Sequence, residues 1–576
     1  MQAGIRRLHP LIDLRLYRLS FIPALLAVVI AMFSLEGVPD ALQPVDPPTT
    51  FEGDRAAGVA RQIASAAPDR TPGSAGDEAI ADLVRSRFDE VPAGAVSEQT
   101  LEGTHDGEQV ALRNVLLTLP GEAGETIVVT AGRDSARGAG AATSAAATGI
   151  LVELANALRV SHEKTYVLAS TSGSSSGADG IRALIDNLPE RDSIEAVIVI
   201  SQPGAEDRRP PYVVATSDAE TSPNAQLVRT AEGTVGIQAA ATTPTEGAFT
   251  QLARLAVPSG IGDQAPLIGD GIDAVAISSA GERPLAGEQA EALSGAGVDE
   301  FGRAIQSAVD ALDDAVEAPV HGPGAYLELG ENLLPGWALA LLAATLILPA
   351  LVAAVDACAR AARRELGIGT AFAWGAARSL PLIGGLAALY ALALVGAIPR
   401  PPFPFDPGLY ELGARAVISF VIMLAAVAAT AWFLRSPLAA RRAPEVAPSA
   451  LGALAALSCA LIWLVNPYLA LFAAPAAHVW VLASSDRLRG PLPVSAGAAL
   501  ACVLPVAALL AVAEALGLGI DAPWTFTLMV ADGQIGLLTM VAAAFLAGTL
   551  IALVALAFRR RGSRAPADAQ ESSTDV

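Results

Sequence analysis

Apolar residues between positions 70 and 315 occur in short runs that alternate with helical patterns. The run Thr126–Thr130 is β-branched and ends at Gly132-Arg133-Asp134-Ser135, after which a small-residue loop leads into a helix that carries Glu153. Such alternation predicts an α/β domain in which helices flank a mostly parallel sheet. The predicted strands are Asn114–Leu119, Thr126–Thr130, Tyr166–Thr171, Ala196–Ser201, Tyr212–Thr216 and Ala274–Ser278, and the predicted helices are Gly76–Phe88, Ala145–Val160, Ala178–Asn187, Asn224–Glu232, Gly247–Leu255 and Asp299–Ala315.

Longer apolar segments lie on both sides of this region. A bilayer needs about 20 apolar residues to cross about 30 Å of hydrocarbon. The first segment, Leu19–Leu35, follows several arginines, and we interpret it as an uncleaved signal anchor, with a cleaved signal peptide as the alternative. The other predicted spans are Leu333–Val355, Leu380–Ala397, Ala414–Leu434, Leu451–Val465, Tyr468–Ser484, Ala496–Leu516 and Ile535–Phe558, and the pair that meets at Asn466-Pro467 has a re-entrant hairpin as its alternative.

Composition and charge divide the chain in the same way. Of its 576 residues 53% are hydrophobic, and the mean hydropathy is +0.47. The net charge of −21 consists of −25 in residues 37–330 (43 acidic, 18 basic) and +4 in the remainder (15 acidic, 19 basic). An acidic domain repels nucleic acid, so we exclude that class of partner and expect the lipid bilayer as one partner. The Ala-, Arg- and Gly-rich composition favours a high-GC bacterial source.

Arginines follow alternate spans. They cluster after the second, fourth, sixth and last spans, whereas the intervening loops hold Pro, Asp and aromatic residues. The excess of positive charge on the cytoplasmic side of membrane proteins predicts a multi-pass protein of the cell membrane with both termini cytoplasmic and the acidic domain extracytoplasmic. The predicted divisions are 1–18 (basic cytoplasmic N-terminus), 19–36 (signal anchor), 37–69 (linker leading into the domain), 70–318 (extracytoplasmic domain), 319–332 (second linker), 333–558 (about seven transmembrane helices) and 559–576 (disordered cytoplasmic tail).

Two ionisable residues within the predicted spans are candidates for transport. His478 lies within the sixth span and Glu514 near the outer end of the seventh. Ionisable groups inside a membrane often mark a substrate or ion pathway. A transporter or channel with the outer domain as a cap is therefore one functional alternative. An interhelical hydrogen bond for His478 and interfacial solvation for Glu514 are the structural alternatives.

Several motifs resemble the M28 family of zinc aminopeptidases over residues 70–315. Arg70-Thr71-Pro72-Gly73-Ser74-Ala75-Gly76 is similar to the motif before the family's first helix, and Arg113-Asn114-Val115 with Leu119-Pro120-Gly121 is similar to a family strand and turn. The resemblance implies a zinc-exopeptidase-like fold. One membrane span, a peptidase-like domain and then a group of spans is also similar to the M28-like subunit of the GPI transamidase and to the M28 metallopeptidases of the endoplasmic reticulum.

The same resemblance places neutral residues where the family has metal ligands. The family's ligand positions fall on Gly132, Thr143, Gly173, Ser201 and Gln264, its catalytic base on Ser172, and its supporting carboxylates on Asp134 and Asp263. A two-zinc hydrolase needs about three ligands of His, Asp, Glu or Cys type per metal and a carboxylate base. We therefore expect neither a metal nor another cofactor, and we expect a pseudoenzyme rather than an active peptidase.

Other functions for this crevice remain open. The carboxyl ends of parallel strands form the usual binding crevice of such sheets, and Arg133, Asp134 and Gln264 could hold a polar peptide end or a glycan there. The serine-rich run Ser170–Ser176 raises the alternative of a serine hydrolase, but His162 is expected at the opposite end of the strand. The leading hypothesis is a recognition or scaffold domain for a peptide, glycan or protein partner. An active hydrolase that uses an unrecognised site is the alternative.

Overall fold

The computed structural model describes residues 12–43, 50–105, 108–135, 137–158, 162–175, 177–188, 191–209, 211–315, 324–440, 443–484 and 490–562. Within these ranges the chain forms ten strands. They are β1 (Glu36–Gly37), β2 (Ala95–His105), β3 (Glu108–Leu119), β4 (Thr126–Gly132), β5 (Thr165–Thr171), β6 (Ile194–Ser201), β7 (Val213–Val214), β8 (Ala274–Ser278), β9 (Tyr326–Leu329) and β10 (Asn332–Pro335). Some residues on which the sequence predictions rest lie outside the described ranges. They include Ser176, the arginines at positions 441, 442, 487, 489 and 564 that follow the fourth, sixth and last predicted spans, and the predicted tail after residue 562.

The described residues also form α-helices throughout the chain. They are α1 (Leu14–Leu19), α2 (Ile22–Phe33), α3 (Gly53–Ala66), α4 (Ala75–Asp89), α5 (Ser144–Ala157), α6 (Asp179–Asp186), α7 (Ala225–Ala239), α8 (Ala248–Ala256), α9 (Gln264–Gly269), α10 (Glu288–Glu291), α11 (Gly295–Asp313), α12 (Gly336–Arg363), α13 (Ile368–Ala376), α14 (Leu380–Leu394), α15 (Ala414–Ala440), α16 (Ala447–Val465), α17 (Pro467–Ala473), α18 (Val479–Ser484), α19 (Pro491–Ala515), α20 (Ala522–Asp532) and α21 (Leu537–Gly562).

The α/β domain between the first apolar helices and α12, called the outer domain here after its predicted location, is built on a seven-stranded sheet in the order β2-β3-β5-β4-β6-β8-β7. The four strands β5, β4, β6 and β8 are mutually parallel, while β2, β3 and β7 add antiparallel edges, so the sheet is mixed and its parallel part is central. Gly132 pairs with Thr171, and the neighbouring Ala131 pairs with Ile200. The carboxyl ends of the central strands therefore meet at one edge of the sheet.

Alternating side chains of each central strand bury opposite faces of the sheet. In β4, Ile127 and Val129 join the core formed with α3, α4, α5, α7 and α11, whereas Val128 joins the smaller core under α6 and α9. This is the two-residue period of a strand with helices on both faces. Helix α3 lies in the predicted linker 37–69, yet Ala56, Ala60 and Ile63 of this helix are buried in the larger core.

Two short strands connect the outer domain to the membrane helices. Strand β1 leaves the first span and pairs with β10, and β10 pairs with β9 before leading directly into α12. Glu36 faces Leu333 in this three-stranded sheet. The chain that enters the domain is thus hydrogen-bonded to the chain that leaves it.

Within the described residues, seven helical segments are long and apolar enough to cross a bilayer. Helices α13 and α14, which meet at a bend of 41°, form an eighth candidate span if they are counted together. Each predicted span coincides with one of these segments, and their number indicates a multi-pass membrane protein. The seven segments are Leu14–Phe33, Gly336–Arg363, Ala414–Arg435, Ala447–Val465, Pro467–Ser484, Pro491–Ala515 and Leu537–Arg559.

The arginine-poor loops of the bundle contact the outer domain. The Asn466 side chain donates to the carbonyls of Leu255 and Ala256 at 2.9 and 3.2 Å, and Arg283 donates to the carbonyl of Gly517 at 2.6 Å. Gln534 donates to the carbonyl of Pro258 at 3.2 Å. Helix α12 begins next to the domain and ends at Arg363, so this arginine lies at the end of the helix that is away from the domain.

A buried ion pair fixes the outer domain around Arg133. This side chain is fully buried, and its Nε lies 2.8 Å from Asp77 Oδ1 on α4. It also donates to the carbonyls of Ser170 and Arg113, and so connects β3, β4 and β5. Burial lowers the pKa of Arg133 and raises the pKa of Asp77, while the charge of each partner opposes the shift of the other.

We predict that Arg133→Met destabilises the domain by about 3–5 kcal/mol, because Asp77 would remain buried without a counterion. Thermal unfolding of the full chain in detergent measures this loss. Arg85→Met is the control, since Arg85 is 53% exposed and pairs only at the surface. Equal unfolding temperatures for the two variants would contradict a stabilising role for the Arg133–Asp77 ion pair.

Candidate functional site

A cleft with a cavity volume of about 160 Å³ lies at the carboxyl edge of the central strands. Strand ends supply Gly132 and Ser201, the loop after β5 supplies Ser174 and Ser175, and the start of α5 supplies Thr143. The cleft is also lined by Pro404, Phe405 and Asp406, which belong to the loop between α14 and α15. Part of its wall therefore comes from the membrane bundle.

The space next to Gly132 is filled by Ser174. A Cβ atom built on Gly132 would lie 2.2 Å from Ser174 Oγ and 2.7 Å from Ser174 Cβ. Real Cβ atoms do not approach heavy atoms this closely, so any side chain at position 132 requires the serine loop to move. The loop after β5 therefore packs directly against the end of β4.

Serine side chains and backbone N–H groups of the loop after β5 donate hydrogen bonds to two carboxylates of the cleft, Asp134 and Asp263. Ser174 Oγ donates to Asp263 Oδ2 at 2.6 Å. Asp134 accepts from the backbone N–H groups of Ser174 and Ser175, both at 3.0 Å, and from Ser175 Oγ at 2.6 Å. Both of these carboxylates thus accept hydrogen bonds from the loop after β5.

Burial raises the pKa of Asp263 to about 6, a shift to which the charge of Asp134 adds and which the hydrogen bond from Ser174 opposes. Asp263 is only 8% exposed. A carboxyl group in this position titrates close to neutral pH. The cleft therefore contains a carboxylate whose ionisation costs free energy.

The structure separates the predicted site residues into two groups. Gly132, Asp134, Thr143, Ser201 and Asp263 line the cleft. The other four residues do not line the cleft, because they are buried within the protein. They are Arg133, Ser172, Gly173 and Gln264. Ser172 Oγ donates to Asp77 Oδ2 at 2.6 Å. Gln264 donates to the Thr216 carbonyl at 3.3 Å, and Gly173 has a φ of +91° where the chain turns after β5.

These donors do not fit a two-zinc centre. The described cleft residues offer the carboxylates Asp134, Asp263, Glu282 and Asp406 but no histidine or cysteine. Asp134 and Asp263 accept hydrogen bonds from serines, and Asp406 pairs with Arg137. Within the described ranges no three His, Cys, Asp or Glu side chains are grouped as metal ligands. No metal-dependent step is assigned to this site.

The membrane hairpin α14–α15 is held against the cleft by several polar contacts. Arg137 pairs with Asp406, and the Gly177 N–H donates to the Pro404 carbonyl at 3.2 Å. Arg182 reaches the Phe403 carbonyl at 3.4 Å and also pairs with Asp218 at 3.0 Å. These contacts make the loop a fixed wall of the cleft.

Sequence reasoning did not single out Ser174, Ser175 or this loop. The serine run was recognised, but its alignment with the M28 pattern assigned the site to Ser172 and Gly173. The only signal for Ser174 was its place in a hydroxyl-rich loop after a buried strand. No local signal connects Pro404–Asp406 with residues some 230 positions earlier.

The two intramembrane candidates lie apart from the cleft. His478 contacts the Tyr17 hydroxyl through Nδ1 and the Leu346 carbonyl through Nε2, both at 3.0 Å. Its ring also stacks on Phe21. Both ring nitrogens are therefore engaged in contacts between helices, whereas Glu514 is exposed near the end of α19.

No protein-family model matches this chain, and no curated protein matches it in sequence. Solved structures are similar to it over less than half of its length. A glutaminyl cyclase from an Acidobacteriales bacterium is 16% identical and aligns over 46% of this chain and 97% of its own, with a TM-score of 0.37. The glutaminyl cyclase of Fimbriiglobus ruber is 14% identical over 46% of this chain and 98% of its own, with a TM-score of 0.39.

A zinc aminopeptidase from Bacillus subtilis is 13% identical over 47% of this chain and 98% of its own, with a TM-score of 0.38. These similarities do not indicate an activity, substrate or metal for this chain. The predicted fold class is confirmed: a mixed α/β domain similar to M28 aminopeptidase folds is joined to many apolar helices.

We predict that Gly132→Ala destabilises the chain by about 1–3 kcal/mol, the usual range for an overpacked site. Adding Ser174→Gly removes both atoms that the new Cβ would meet, so the double variant should recover part of the loss. Thermal unfolding of the full chain for the two single variants and the double variant measures this coupling. Strict additivity of the two substitutions would show that residues 132 and 174 do not compete for the same space.

We predict that Asp263→Asn stabilises the chain at pH 7.5 by up to roughly 3 kcal/mol and has little effect at pH 4. A raised pKa means that the folded state favours the protonated carboxyl. Its contribution to stability is therefore present below the ordinary Asp pKa of about 3.9 and is lost as the pH rises through about 6. The measurement is the unfolding temperature of each variant across this pH range.

Asp270→Asn is the control for this titration, because Asp270 is exposed at the end of α9. If the Asp263→Asn difference from wild type did not exceed that of Asp270→Asn at pH 7.5, or did not shrink at pH 4, the buried carboxyl would not be the titrating group.

Proposed function

We propose that this chain is a multi-pass protein of the cell membrane whose outer domain is a non-catalytic recognition or scaffold domain. In this proposal both termini are cytoplasmic and the domain is extracytoplasmic. The observation that carries it is the cleft itself. Ser174 fills the space beside Gly132, and Pro404–Asp406, in the loop between α14 and α15, form one wall of the cleft.

The wall connects recognition to the membrane. Helix α15 packs mainly against α14, so the hairpin is a peripheral pair of the bundle. Its loop contacts the domain through Arg137, Gly177 and Arg182. A ligand that fills the cleft touches this loop, and the domain can thereby present a bound partner to the membrane helices.

The lining defines the class of ligand. Hydroxyl groups of Thr143, Ser144 and Ser201 stand beside carboxylates and the Arg137–Asp406 pair. Polar groups of both signs fit a peptide terminus or a glycan better than an apolar ligand. We therefore propose a peptide, a glycan or a protein segment as the partner.

A hydrolase that uses Ser174 is the second candidate. Ser174 Oγ lies 2.6 Å from Asp263 Oδ2, so the carboxylate could accept the hydroxyl proton during attack on a carbonyl and return it to the leaving group. Against this candidate, Asp134 accepts from the backbone N–H groups of both Ser174 and Ser175. These groups are then not available to stabilise an oxyanion.

A photo-crosslinking residue at Thr143 tests the proposal in cells that express the full chain. We expect a discrete adduct at Thr143, identified by mass spectrometry as a peptide, protein or glycan. The matched control is Gly124, an exposed position on the turn before β4. Identical adducts at both positions, or none at Thr143, would contradict recognition by the cleft.

In a second test, the full chain is purified and treated with a fluorophosphonate, which labels activated serines. A recognition domain should give no labelling above that of Ser174→Ala. Labelling that is lost in Ser174→Ala but kept in Ser175→Ala would replace the recognition proposal by the hydrolase.

A further inference from the structure

A second cavity of about 170 Å³ lies between β7, α7, α8 and β9. It shares one wall residue, Glu282, with the cleft described above and is otherwise formed by different residues. Its floor is α8, which packs on α17 and α19 of the bundle. This cavity therefore lies beside the junction of the domain and the membrane helices.

Glutamates outnumber arginines around this cavity. Arg254 pairs with both Glu246 and Glu282, at 2.9 and 2.7 Å. Arg229, next to the cavity, pairs with both Glu232 and Glu328. All four glutamates line the cavity, so each guanidinium is shared by two carboxylates.

The excess negative charge is partly removed from water. The side chain of Glu282 is only 2% exposed and that of Glu232 is 21% exposed. Burial raises the pKa of both groups, and their arginine partners lower it only in part. A carboxylate in such a place is stabilised by a further cation or by a proton.

A serine hydroxyl in the wall also has no partner among the described residues. Ser259 is 2% exposed, lines the cavity, and its Oγ makes no hydrogen bond within the described structure. Buried hydroxyl groups are nearly always hydrogen-bonded, so this one points to a bound group. Val213, Val214 and Val228 give the same cavity an apolar side.

We propose that this cavity binds a primary ammonium group carried on a short aliphatic stem. An ammonium group has three hydrogen-bond donors and no acceptor, which suits carboxylates and a free hydroxyl oxygen. The valine side accommodates the methylene groups. A free alkyl diamine and the lysine side chain of a polypeptide share this chemistry. The site does not involve Ser174 or Thr143, and Glu282 is the one residue that lines both this cavity and the cleft.

Isothermal titration of the full chain in nanodiscs tests the proposal at physiological ionic strength. The probes are 1,5-diaminopentane, 1,5-pentanediol and glutarate, which share a five-carbon length and differ in charge. We expect saturable heat for the diamine only. N-acetyl-lysine methylamide and a lysine-containing peptide then distinguish the sources, since tighter binding of either than of the diamine identifies a polypeptide ligand.

Three variants test whether the diamine binds in this cavity. Glu246→Gln and Glu328→Gln each remove one acceptor charge without changing shape, and each should weaken diamine binding about tenfold, the equivalent of 1.4 kcal/mol. Ser259→Ala keeps every charge and should weaken it by a few fold. Glu90→Gln is the control, because Glu90 is an exposed carboxylate at the end of α4.

Thermal unfolding confirms that each variant is folded, and Ser259→Ala decides the question if a glutamate variant does not fold. Absence of diamine binding, equal heat from the diol, or equal weakening in Glu90→Gln would overturn the proposal. The last result would mean that the acidic domain attracts amines without a site.

Discussion

The hydrogen bond from Ser174 to Asp263 requires that residue 132 has no side chain. Gly132 ends the central strand β4, and the serine loop occupies the space where a larger residue would project into the cleft. The same loop places Ser175 and two backbone N–H groups on Asp134. Asp134 and Asp263 thus accept hydrogen bonds from the protein itself, although burial still raises the pKa of Asp263.

The second constraint is the attachment of the domain to the membrane helices. The loop of α14–α15 reaches the cleft because Arg137, Gly177 and Arg182 hold it there. The three-stranded sheet of β1, β10 and β9 fixes the two chain connections at another point. Together with the contacts of Asn466, Arg283 and Gln534, these attachments limit rotation of the domain on the bundle. The hairpin that forms this wall has few other contacts in the bundle.

Strong periodic patterns of apolar residues allowed much of the fold to be predicted from the sequence. Strands β4 and β6 alternate between two buried faces, and the apolar spans are continuous, so both were recognisable. Strand β2 was missed because it is polar and half-exposed at the sheet edge, where few residues enter the core. Helix α3 was assigned to a linker because its buried face consists mostly of alanine.

The site was predictable only in part, for a physical reason. The spacing of residues along the sequence predicts that Gly132, Asp134 and Asp263 lie at the carboxyl edge of the central strands, because the loops that follow parallel strands share one edge of the sheet. It does not decide which side chains of a loop turn inward. The chain turns at Gly173, so Ser172 points to Asp77 while Ser174 points into the cleft. Arg133 was expected in the crevice but is buried, because Asp77 pairs with it. The hairpin wall depends on tertiary packing alone.

Zinc stoichiometry tests the central claim most directly. The full chain is purified without chelator, equilibrated with excess zinc at neutral pH, desalted, and measured by inductively coupled plasma mass spectrometry. A cleft whose lining offers no histidine or cysteine and whose carboxylates are already hydrogen-bonded or ion-paired predicts well under one zinc per chain. About two zinc ions per chain, lost when Asp134 and Asp263 are replaced, would contradict the account.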